Sequence, residues 1–336
     1  MHDKIGDIMI FCASANPKMA HEVVRLLGCD SPNGMEIGKS TTEQFADGET
    51  SVKVNETVRG KDVFIIQSTA PPTNDNLMEL LIMIDAMRRS SAGRITAIVP
   101  YYGYARQDRR ARSHDPISAK LVADLITTAG ANRILSMDLH CPQIQGFFNI
   151  PLDHLQGIYT FAEYYKEGFG DLSDVVVVSP DFGSVARCNR FADLLDVPLA
   201  IADKRRPDDG GPPVIRNFIG DVEGKHAILL DDVLSTGQSL CNAAEIVMKY
   251  GAKSVHACVT HPVLCGNAVE LIANSPLEEV LVLDTIQIPD EKKHEKIKEI
   301  SIAPLMAKAI KGIHYNLSLG QLSKMGWRSC MNEGKN

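Results

Sequence analysis

The sequence predicts an α/β fold made of two duplicated domains, each a mostly parallel sheet flanked by helices. Short, wholly apolar runs alternate with amphipathic stretches along the 336 residues, and such runs are typical of parallel strands that are covered on both faces. The two halves of the chain also repeat each other in plan. Because one core is hard to extend over this length, two domains of about 150 residues each are favoured.

Eight apolar runs are predicted to be strands. They occupy residues 8–13, 62–68, 94–102 and 133–138 in the first half, and 174–180, 226–232, 254–260 and 279–284 in the second. The stretch after the second run has apolar residues at i, i+3, i+4 and i+7 spacing, which predicts a helix with one buried face. These residues are Leu77, Leu80, Leu81, Ile84 and Met87.

The repeat is clearest in the first two units of each half. Residues 8–28 and 175–196 both read as a strand, a serine-containing turn and an amphipathic helix. The next units place the Gln-Ser pair at 67–68 opposite the Asp-Asp pair at 231–232. Only the second copy has the acidic pair and a turn of small residues, since the first has prolines 71–72 there. We therefore expect the chemistry to centre on the second half, with the first as its partner.

Three regions follow from this repeat. We expect an N-terminal domain over residues 1–155 and a C-terminal domain over residues 156–305. Residues 306–336 are expected to form a C-terminal helix and tail that pack back on the N-terminal domain.

Composition excludes several classes of protein. Acidic residues outnumber basic ones 42 to 35, giving a net charge of −7, so no overall basic field exists for nucleic acid or an anionic membrane. The eight cysteines form no CxxC pair, which favours reduced thiols over a zinc site. No apolar run reaches the roughly 18 residues of a membrane span, and residues 1–7 do not read as a signal peptide. These features predict a cytoplasmic protein.

The strongest local signal is ILLDDVLSTGQS at residues 228–239. An apolar strand ends in two carboxylates and passes through small hydroxyl residues into a helix. Backbone N–H groups at such a helix start, with the hydroxyls of Ser235, Thr236 and Ser239, can hold a phosphate. Asp231 and Asp232 could then accept hydrogen bonds from ribose hydroxyls. The alternative is an ordinary strand end followed by a capped helix.

Two further residues could bind a metal ion. His140 follows the apolar run at 133–138, and a neutral imidazole there could bind a metal directly or through water, although a lone histidine is more often structural. Asp181, interpreted as lying at the equivalent strand end of the second domain, offers a second ligand. An oxygen-rich, incomplete ligand set suits Mg²⁺, which keeps waters and takes oxygens from substrate phosphates.

The stretch DKRRPDDGGPP at residues 203–213 has neither a helical nor a strand period and is predicted to be a mobile loop. Its cations are Lys204, Arg205 and Arg206. Such a loop can close over transferring phosphates, exclude water and neutralise charge. The alternative is a solvated basic patch.

Several motifs carry a family resemblance. DDVLSTGQS resembles the phosphate loop of type I phosphoribosyltransferases, so both domains are expected to have that fold, with the N-terminal copy lacking the phosphate loop. Seven further segments resemble, in the family's order, class I of the ribose-phosphate pyrophosphokinase family. These segments are FADGE at 45–49, IIQST at 65–69, PYYGYARQDRRARS at 100–113, MDLHCPQIQGFFNIPLDHL at 137–155, VVSPDFGS at 177–184, DKRRP at 203–207 and THPVL at 260–264.

The resemblance implies an enzyme that uses ATP and ribose 5-phosphate with Mg²⁺. It implies that Lys204 and Arg206 are catalytic, and that His140 and Asp181 act on Mg²⁺, with Asp181 also near the ribose. The ribose 5-phosphate site is implied to contain Asp181, Asp231, Asp232, Ser235, Thr236, Gly237, Gln238 and Ser239.

The ATP site is implied to be shared between subunits. Arg106, Gln107 and Asp108 would hold ATP, although without the resemblance Glu49, Arg106 and Asp108 could form surface ion pairs of little value. Phe45, Asp47 and Glu49 would contact the adenine from a neighbouring subunit. A shared site implies a homo-oligomer, and the family's habit is a hexamer built from dimers.

The chain departs from the family pattern at Ser184, Ser235, Gln238 and Ser239. Where a turn needs positive φ beside a phosphate, Gly237 can supply it. Two alternatives to the synthetase stay open on these departures: a phosphoribosyltransferase, and a catalytically weak synthetase-associated regulatory subunit. A dinucleotide-dependent dehydrogenase is disfavoured, since no G-x-G-x-x-G follows any strand.

Overall fold

Each half of the chain builds one sheet, and the two sheets enclose a shared layer of helices. The computed structural model describes residues 6–29, 34–205, 214–326, 328 and 330. Within these ranges, no helix is both long and apolar enough to cross a membrane. All eight cysteines are free thiols.

The first half contains seven strands and four helices in its described part. They are β1 (Ile8–Cys12), α1 (Pro17–Gly28), β2 (Ser40–Gln44), β3 (Thr50–Val54), β4 (Asp62–Ile66), α2 (Thr73–Arg89), β5 (Arg94–Val99), α3 (Ser118–Ala129), β6 (Arg133–Met137), β7 (Leu152–Leu155) and α4 (Ile158–Gly168). A short 3₁₀ helix covers Pro142–Phe147. Five strands form a parallel sheet in the order β1-β4-β5-β6-β7, and β2 pairs with β3 as a separate hairpin.

The second half repeats this arrangement. Its elements are β8 (Val175–Ser179), α5 (Val185–Leu195), β9 (Leu199–Arg205), β10 (Val214–Ile219), β11 (His226–Leu234), α6 (Gln238–Lys249), β12 (Ser254–Pro262), α7 (Ala268–Asn274), β13 (Leu277–Leu283), β14 (Ile297–Ile300) and α8 (Ala303–His314). The sheet order is β10-β9-β8-β11-β12-β13-β14, and only β10 runs antiparallel. The order from β8 to β14 matches that from β1 to β7, which confirms the predicted duplication.

All eight predicted strands are present, as β1, β4, β5, β6, β8, β11, β12 and β13. The predicted helix is α2, in which Leu77, Leu80, Ile84 and Met87 are buried and Leu81 is half-buried. These strands and this helix form because their apolar side chains are removed from water on the covered faces of the sheets.

The prediction of a loop beginning at Asp203 is wrong for its first three residues. Asp203, Lys204 and Arg205 lie in strand β9, where Lys204 pairs with Ile215 of β10. A polar sequence can form a strand here because β9 obtains its hydrogen bonds from the neighbouring strands. Arg206 and the rest of the predicted loop to residue 213 lie outside the described residues.

The shared layer consists of α1, α4, α5 and α8, whose apolar side chains form one buried cluster with facing residues of both sheets. Helices α2 and α3 cover the other face of the first sheet, and α6 and α7 cover that of the second. The helix that ends each half packs against the first helix of the other half, α4 on α5 and α8 on α1. The halves therefore exchange their last helices.

Two buried aspartates fix where these exchanged helices begin. Asp138, just after β6, accepts a hydrogen bond from the backbone N–H of Gly157 at 3.0 Å, immediately before α4. Asp284, just after β13, accepts one from the N–H of Ile302 at 2.8 Å, immediately before α8. Each carboxylate satisfies a donor at a helix start, so both halves place the carboxyl ends of their strands beside the other half.

Candidate active site

The predicted phosphate turn lies where the two halves meet. Strand β11 continues to Leu234, so Asp231 and Asp232 lie within the strand rather than after it. The chain then turns through Ser235, Thr236 and Gly237 into α6. Gly237 has φ of 78°, a left-handed conformation that favours glycine. The geometry that the turn requires therefore comes from Gly237, and Gln238 is the first residue of the helix.

A cavity of about 260 Å³, here called the phosphate-turn cavity, opens at this turn. Among the described residues, no side chain caps the start of α6, whose first N–H groups have no acceptor within the helix itself and favour an anion. Arg106 of the first half also lines the cavity. Its lining includes Gly237 and the polar side chains of Arg106, Asp231, Ser235, Thr236 and Ser239. The side-chain amide of Gln238 donates instead to Oδ1 of Asn242 at 2.7 Å, along the helix.

The two adjacent carboxylates have different surroundings. Successive side chains of a strand point to opposite faces, and Asp231 lines the phosphate-turn cavity whereas Asp232 does not. The Asp232 carboxylate is 6% exposed and lies 2.7 Å from Nδ1 of His140 and 3.0 Å from Nη1 of Arg187. The structure thus joins His140 of the first half to the acidic pair of the second through Asp232 alone.

These contacts separate the proton affinities of the two carboxylates. Burial and the neighbouring Asp232 charge raise the pKa of Asp231 to about 7. Burial would also raise the pKa of Asp232, but the His140 hydrogen bond and the Arg187 charge outweigh it and hold that pKa well below its usual range. The same hydrogen bond raises the pKa of His140. Asp232 is therefore the ionised member of the pair.

A narrow cleft of about 10 Å³ connects the residues of the two halves beside this ion pair. It is lined by polar and aromatic side chains from both, including Tyr101, Arg106, Asp138, His140, Asp232 and His261. Arg106 borders both this cleft and the phosphate-turn cavity. The structure therefore brings Arg106, predicted to hold ATP, and His140, predicted to bind a metal, into one region. Asp231 and Asp232, both predicted to contact ribose, lie in the same region.

Asp181 lies at a different strand end from the one expected. His140 follows β6, whose counterpart is β13, whereas Asp181 follows β8, the counterpart of β1. The interpretation of equivalent strand ends is therefore wrong. Asp181 accepts a hydrogen bond from the N–H of Ser184 at 2.9 Å, at the start of α5. Across the described ranges, no group of three or more His, Cys, Asp or Glu side chains is arranged to hold a metal ion.

The residues predicted to bind ATP occupy two loops. Gln107 and Asp108 follow Arg106 between β5 and α3, and both make local contacts: the Ser118 hydroxyl donates to Oε1 of Gln107 at 2.6 Å, and the Cys141 thiol donates to Asp108 at 2.9 Å. The Cys141 contact ties this loop to the residue after His140.

Phe45, Asp47 and Glu49 form the tip of the β2–β3 hairpin and do not line the cavity. Phe45 is 56% exposed. The tip is held by its own backbone, where the N–H of Gly48 donates to the carbonyl of Phe45 at 2.9 Å. A large exposed aromatic side chain on a hairpin tip is available to a partner molecule.

Sequence reasoning missed three residues of this region: Asp138, Arg187 and His261. Asp138 and His261 stand inside segments that carried the resemblance, but no spacing pattern gave them a role. Arg187 is in the first turn of α5, 45 residues before Asp232 in the chain, and only the folded structure brings them together.

The fold and this site define a class of protein. Two phosphoribosyltransferase-like halves meet at a cavity that residues of both line, and the turn of small residues at 235–237 belongs to the second half. Residues 8–130 match the model for the N-terminal domain of ribose phosphate pyrophosphokinase, and residues 208–324 match that for the phosphoribosyl synthetase-associated domain. The chain belongs to the ribose-phosphate pyrophosphokinase family.

Relatives match over nearly their whole length. A ribose-phosphate pyrophosphokinase of Caldanaerobacter subterraneus subsp. tengcongensis is 54% identical over 318 residues, covering 94% of this chain and 98% of that relative. The enzyme of Bacillus subtilis is 48% identical, covering 96% and 99%. The crystal structure of phosphoribosylpyrophosphate synthetase from Mycobacterium smegmatis superposes with a TM-score of 0.86 at 43% identity, covering 92% and 99% of the two chains.

Proposed function

We propose that the protein transfers the pyrophosphoryl group of ATP to the anomeric hydroxyl of D-ribose 5-phosphate. The products are 5-phosphoribosyl 1-pyrophosphate and AMP, which serve nucleotide biosynthesis in the cytoplasm. The observation that carries the proposal is the phosphate-turn cavity of the second half, which Arg106 of the first half also lines. A phosphoribosyltransferase or a regulatory subunit is not favoured, because relatives that span the whole chain are named for the synthetase activity.

The second half would hold the sugar. The phosphate of ribose 5-phosphate binds at the start of α6, among the N–H groups and hydroxyls of residues 235–239. Asp231 lines the same cavity and contacts the ribose hydroxyls. Asp232 contacts His140 and Arg187. Its role is therefore to position these two side chains beside the sugar. The anomeric oxygen attacks the β-phosphorus of ATP, the bond from that phosphorus to the α–β bridging oxygen breaks, and AMP leaves.

The residues around His140 fit Mg²⁺. Its Nδ1 is engaged by the Asp232 carboxylate at 2.7 Å, and a carboxylate partner of this kind orients a histidine whose other nitrogen, here Nε2, binds a metal. Asp181 would supply an oxygen ligand, and substrate phosphates and water would complete the set. When bound, Mg²⁺ neutralises charge that develops on the transferring phosphates.

Lys204 and Arg206 would stabilise the same charge. Lys204→Ala should therefore lower kcat by at least about 100-fold while changing the Kd of ribose 5-phosphate little, since a contact made only in the transition state lowers kcat when lost. Steady-state kinetics and isothermal titration calorimetry separate the two quantities. A weakened Kd with unchanged kcat would contradict the role.

Phe45, Asp47 and Glu49 would complete the ATP site of a neighbouring subunit, with Phe45 stacked on the adenine. The exposure of Phe45 on its hairpin tip supports this arrangement. It requires a homo-oligomer, which we propose is a hexamer built from dimers. Sedimentation of the purified protein measures the assembly, and a monomer that turns over at the full rate would contradict the shared site.

Phosphorus NMR of the protein with Mg²⁺, ATP and ribose 5-phosphate tests the activity directly. A diphosphate ester and AMP should appear in equal amounts. Intact ATP in the presence of folded protein, with inorganic phosphate supplied as a possible activator, would contradict the proposed function.

A further inference from the structure

His261, near the end of β12, is a buried side chain that joins the two halves. It is 2% exposed. Its Nε2 lies 3.1 Å from the backbone carbonyl of Asp138 in the first half, and its Nδ1 lies 2.9 Å from the hydroxyl of Thr285. The edge of its ring packs on Tyr101, with the ring centroids 4.9 Å apart.

These partners define the form of the His261 ring. The Asp138 carbonyl can only accept, so Nε2 must carry a proton and donate it. Burial lowers the pKa of His261, which favours a neutral ring with its single proton on Nε2. The Thr285 hydroxyl lies 2.9 Å from both Nδ1 of His261 and the backbone carbonyl of Thr260. The ring thus has one fixed donor, and that donor is aimed at the first half.

The receiving segment, residues 138–140, has a backbone conformation that needs support. Asp138 has φ of 34°, in the left-handed region that non-glycine residues rarely adopt. Such a residue persists only where its surroundings fix it. The Asp138 carboxylate accepts from the hydroxyl of Thr260 at 2.5 Å, and the N–H of Leu139 donates to Nε2 of His154 at 3.0 Å. His140, the next residue, reaches Asp232.

We infer that His261 is a positioning residue for the reaction: by donating to the Asp138 carbonyl, it fixes the turn that presents the His140 imidazole to Asp232. The inference rests on the proposed function, because it concerns His140 as a side chain that binds Mg²⁺. His261 acts two residues away from His140 and through the backbone. Its loss should alter metal binding and turnover without removing any group from the sugar cavity.

The duplicated fold offers a matched control. The side-chain amide of Asn16, 1% exposed, donates across the halves to the backbone carbonyl of Asp284 at 2.7 Å. Asp284 is the counterpart of Asp138 in the other half, yet no predicted site residue follows it. Asn16→Ala therefore removes a buried donor of the same kind from a place where no metal-binding side chain depends on it.

The test compares His261→Phe, which keeps a ring but lacks the donor, with His261→Gln, whose amide can donate. Unfolding by urea measures stability, and steady-state kinetics give kcat and each KM. Electron paramagnetic resonance measures Mn²⁺ binding in the presence of α,β-methylene ATP, whose α–β bridge cannot be broken. His261→Phe should weaken Mn²⁺ binding and lower kcat by about 10–100-fold, as loss of a partner that orients a metal ligand does. The KM for ribose 5-phosphate should stay within about twofold.

His261→Gln should recover much of both losses, and Asn16→Ala should lose stability while keeping kcat and Mn²⁺ binding. If His261→Phe does not fold, Thr285→Val, which removes the hydroxyl at Nδ1, should give a smaller loss of the same two quantities. The inference is overturned if the folded variant keeps wild-type Mn²⁺ binding and kcat, or loses no more than Asn16→Ala. A wild-type protein that binds Mn²⁺ but forms no diphosphate ester would contradict the proposed function alone.

Discussion

The two halves share one plan, but they fill equivalent strand ends differently. After β4 of the first half, the Gln67 amide donates to the buried Glu79 carboxylate at 3.0 Å, and the N–H of Ser14 donates to the same carboxylate at 3.0 Å. The buried positions of α2 align with those of α6, which places Glu79 opposite Ala243. The second half therefore has no carboxylate in the equivalent place, and its strand end opens into the phosphate-turn cavity.

This difference shows what separates a binding site from a structural copy. Both halves direct N–H groups and polar side chains to the carboxyl ends of their strands, as parallel α/β sheets do. In the first half an internal carboxylate satisfies these donors. In the second half the carboxylates lie on the strand, and a turn of small residues borders the phosphate-turn cavity.

The largest effect should come from the acidic pair, by Asp232→Asn. The variant leaves Arg187 buried without its charge partner, which should lower the free energy of unfolding by about 3–5 kcal/mol. Loss of the group that orients His140 should also lower kcat by about 10–100-fold. Urea unfolding and steady-state kinetics measure both. Ser68→Ala at the equivalent position of the first half is the control, expected to keep kcat. A rise in the KM for ribose 5-phosphate with kcat intact would instead place Asp232 on the sugar.

A second comparison concerns Asp284, which holds the start of α8 as Asp138 holds that of α4. Burial raises the pKa of Asp284 to about 6, above its ordinary value of 3.8. The folded protein thus binds this proton more tightly than the unfolded chain. The resulting stabilisation is complete below about pH 4 and is lost as the pH rises through about 6, a change of about 3 kcal/mol. Asp284→Asn should remove that pH dependence, giving a variant more stable than wild type at neutral pH. Urea unfolding of both proteins between about pH 4 and pH 7 measures this difference. If the free energy of unfolding changes with pH in the same way for both, the raised pKa of Asp284 is contradicted.

Glu79→Gln tests the role of the buried carboxylate at the strand end of the first half. The new amide faces the Gln67 amide, so one donor loses its acceptor, and the free energy of unfolding should fall by about 2 kcal/mol. Activity should be unaffected, because Glu79 lies in the first half away from the phosphate-turn cavity. Chemical unfolding and the KM for ribose 5-phosphate are the measurements. A changed KM with unchanged stability would show that the first copy takes part in sugar binding.

The smallest effect should come from Gly237→Ala. An alanine at φ of 78° costs about 1–2 kcal/mol, and the strain should disturb the turn enough to raise the KM for ribose 5-phosphate several-fold. Gly224→Ala is a matched control, since Gly224 has φ of 69° with no heavy atom within 4 Å of an added Cβ. The two variants should lose similar stability, and only Gly237→Ala should change KM. If Gly237→Ala and Gly224→Ala have the same KM for ribose 5-phosphate, the turn at Gly237 does not take part in phosphate binding.

The sequence predicted the wholly apolar strands better than the others. Strands β1, β4, β5, β6, β8, β11, β12 and β13 are apolar because the sheets are covered on both faces. The missed strands β2, β3, β7, β9, β10 and β14 lie in the small hairpin or towards the sheet edges. An edge strand needs a neighbour with free hydrogen-bonding groups rather than a continuous apolar run, and a local pattern does not record that neighbour. The polar residues of β9 therefore resemble a loop in the sequence.

By itself, the sequence determined the duplication, the apolar strands, the turn of small residues before α6 and the family. These depend on local patterns: apolar period, the order of small residues and a glycine where φ is positive. The tertiary structure decided that Asp231 faces the cavity while Asp232 holds His140 and Arg187, that the halves exchange α4 and α8, and that His261 reaches Asp138. Such contacts join residues from 45 to more than 100 positions apart. They depend on how the sheets and helices pack, and no spacing along the chain specifies that packing.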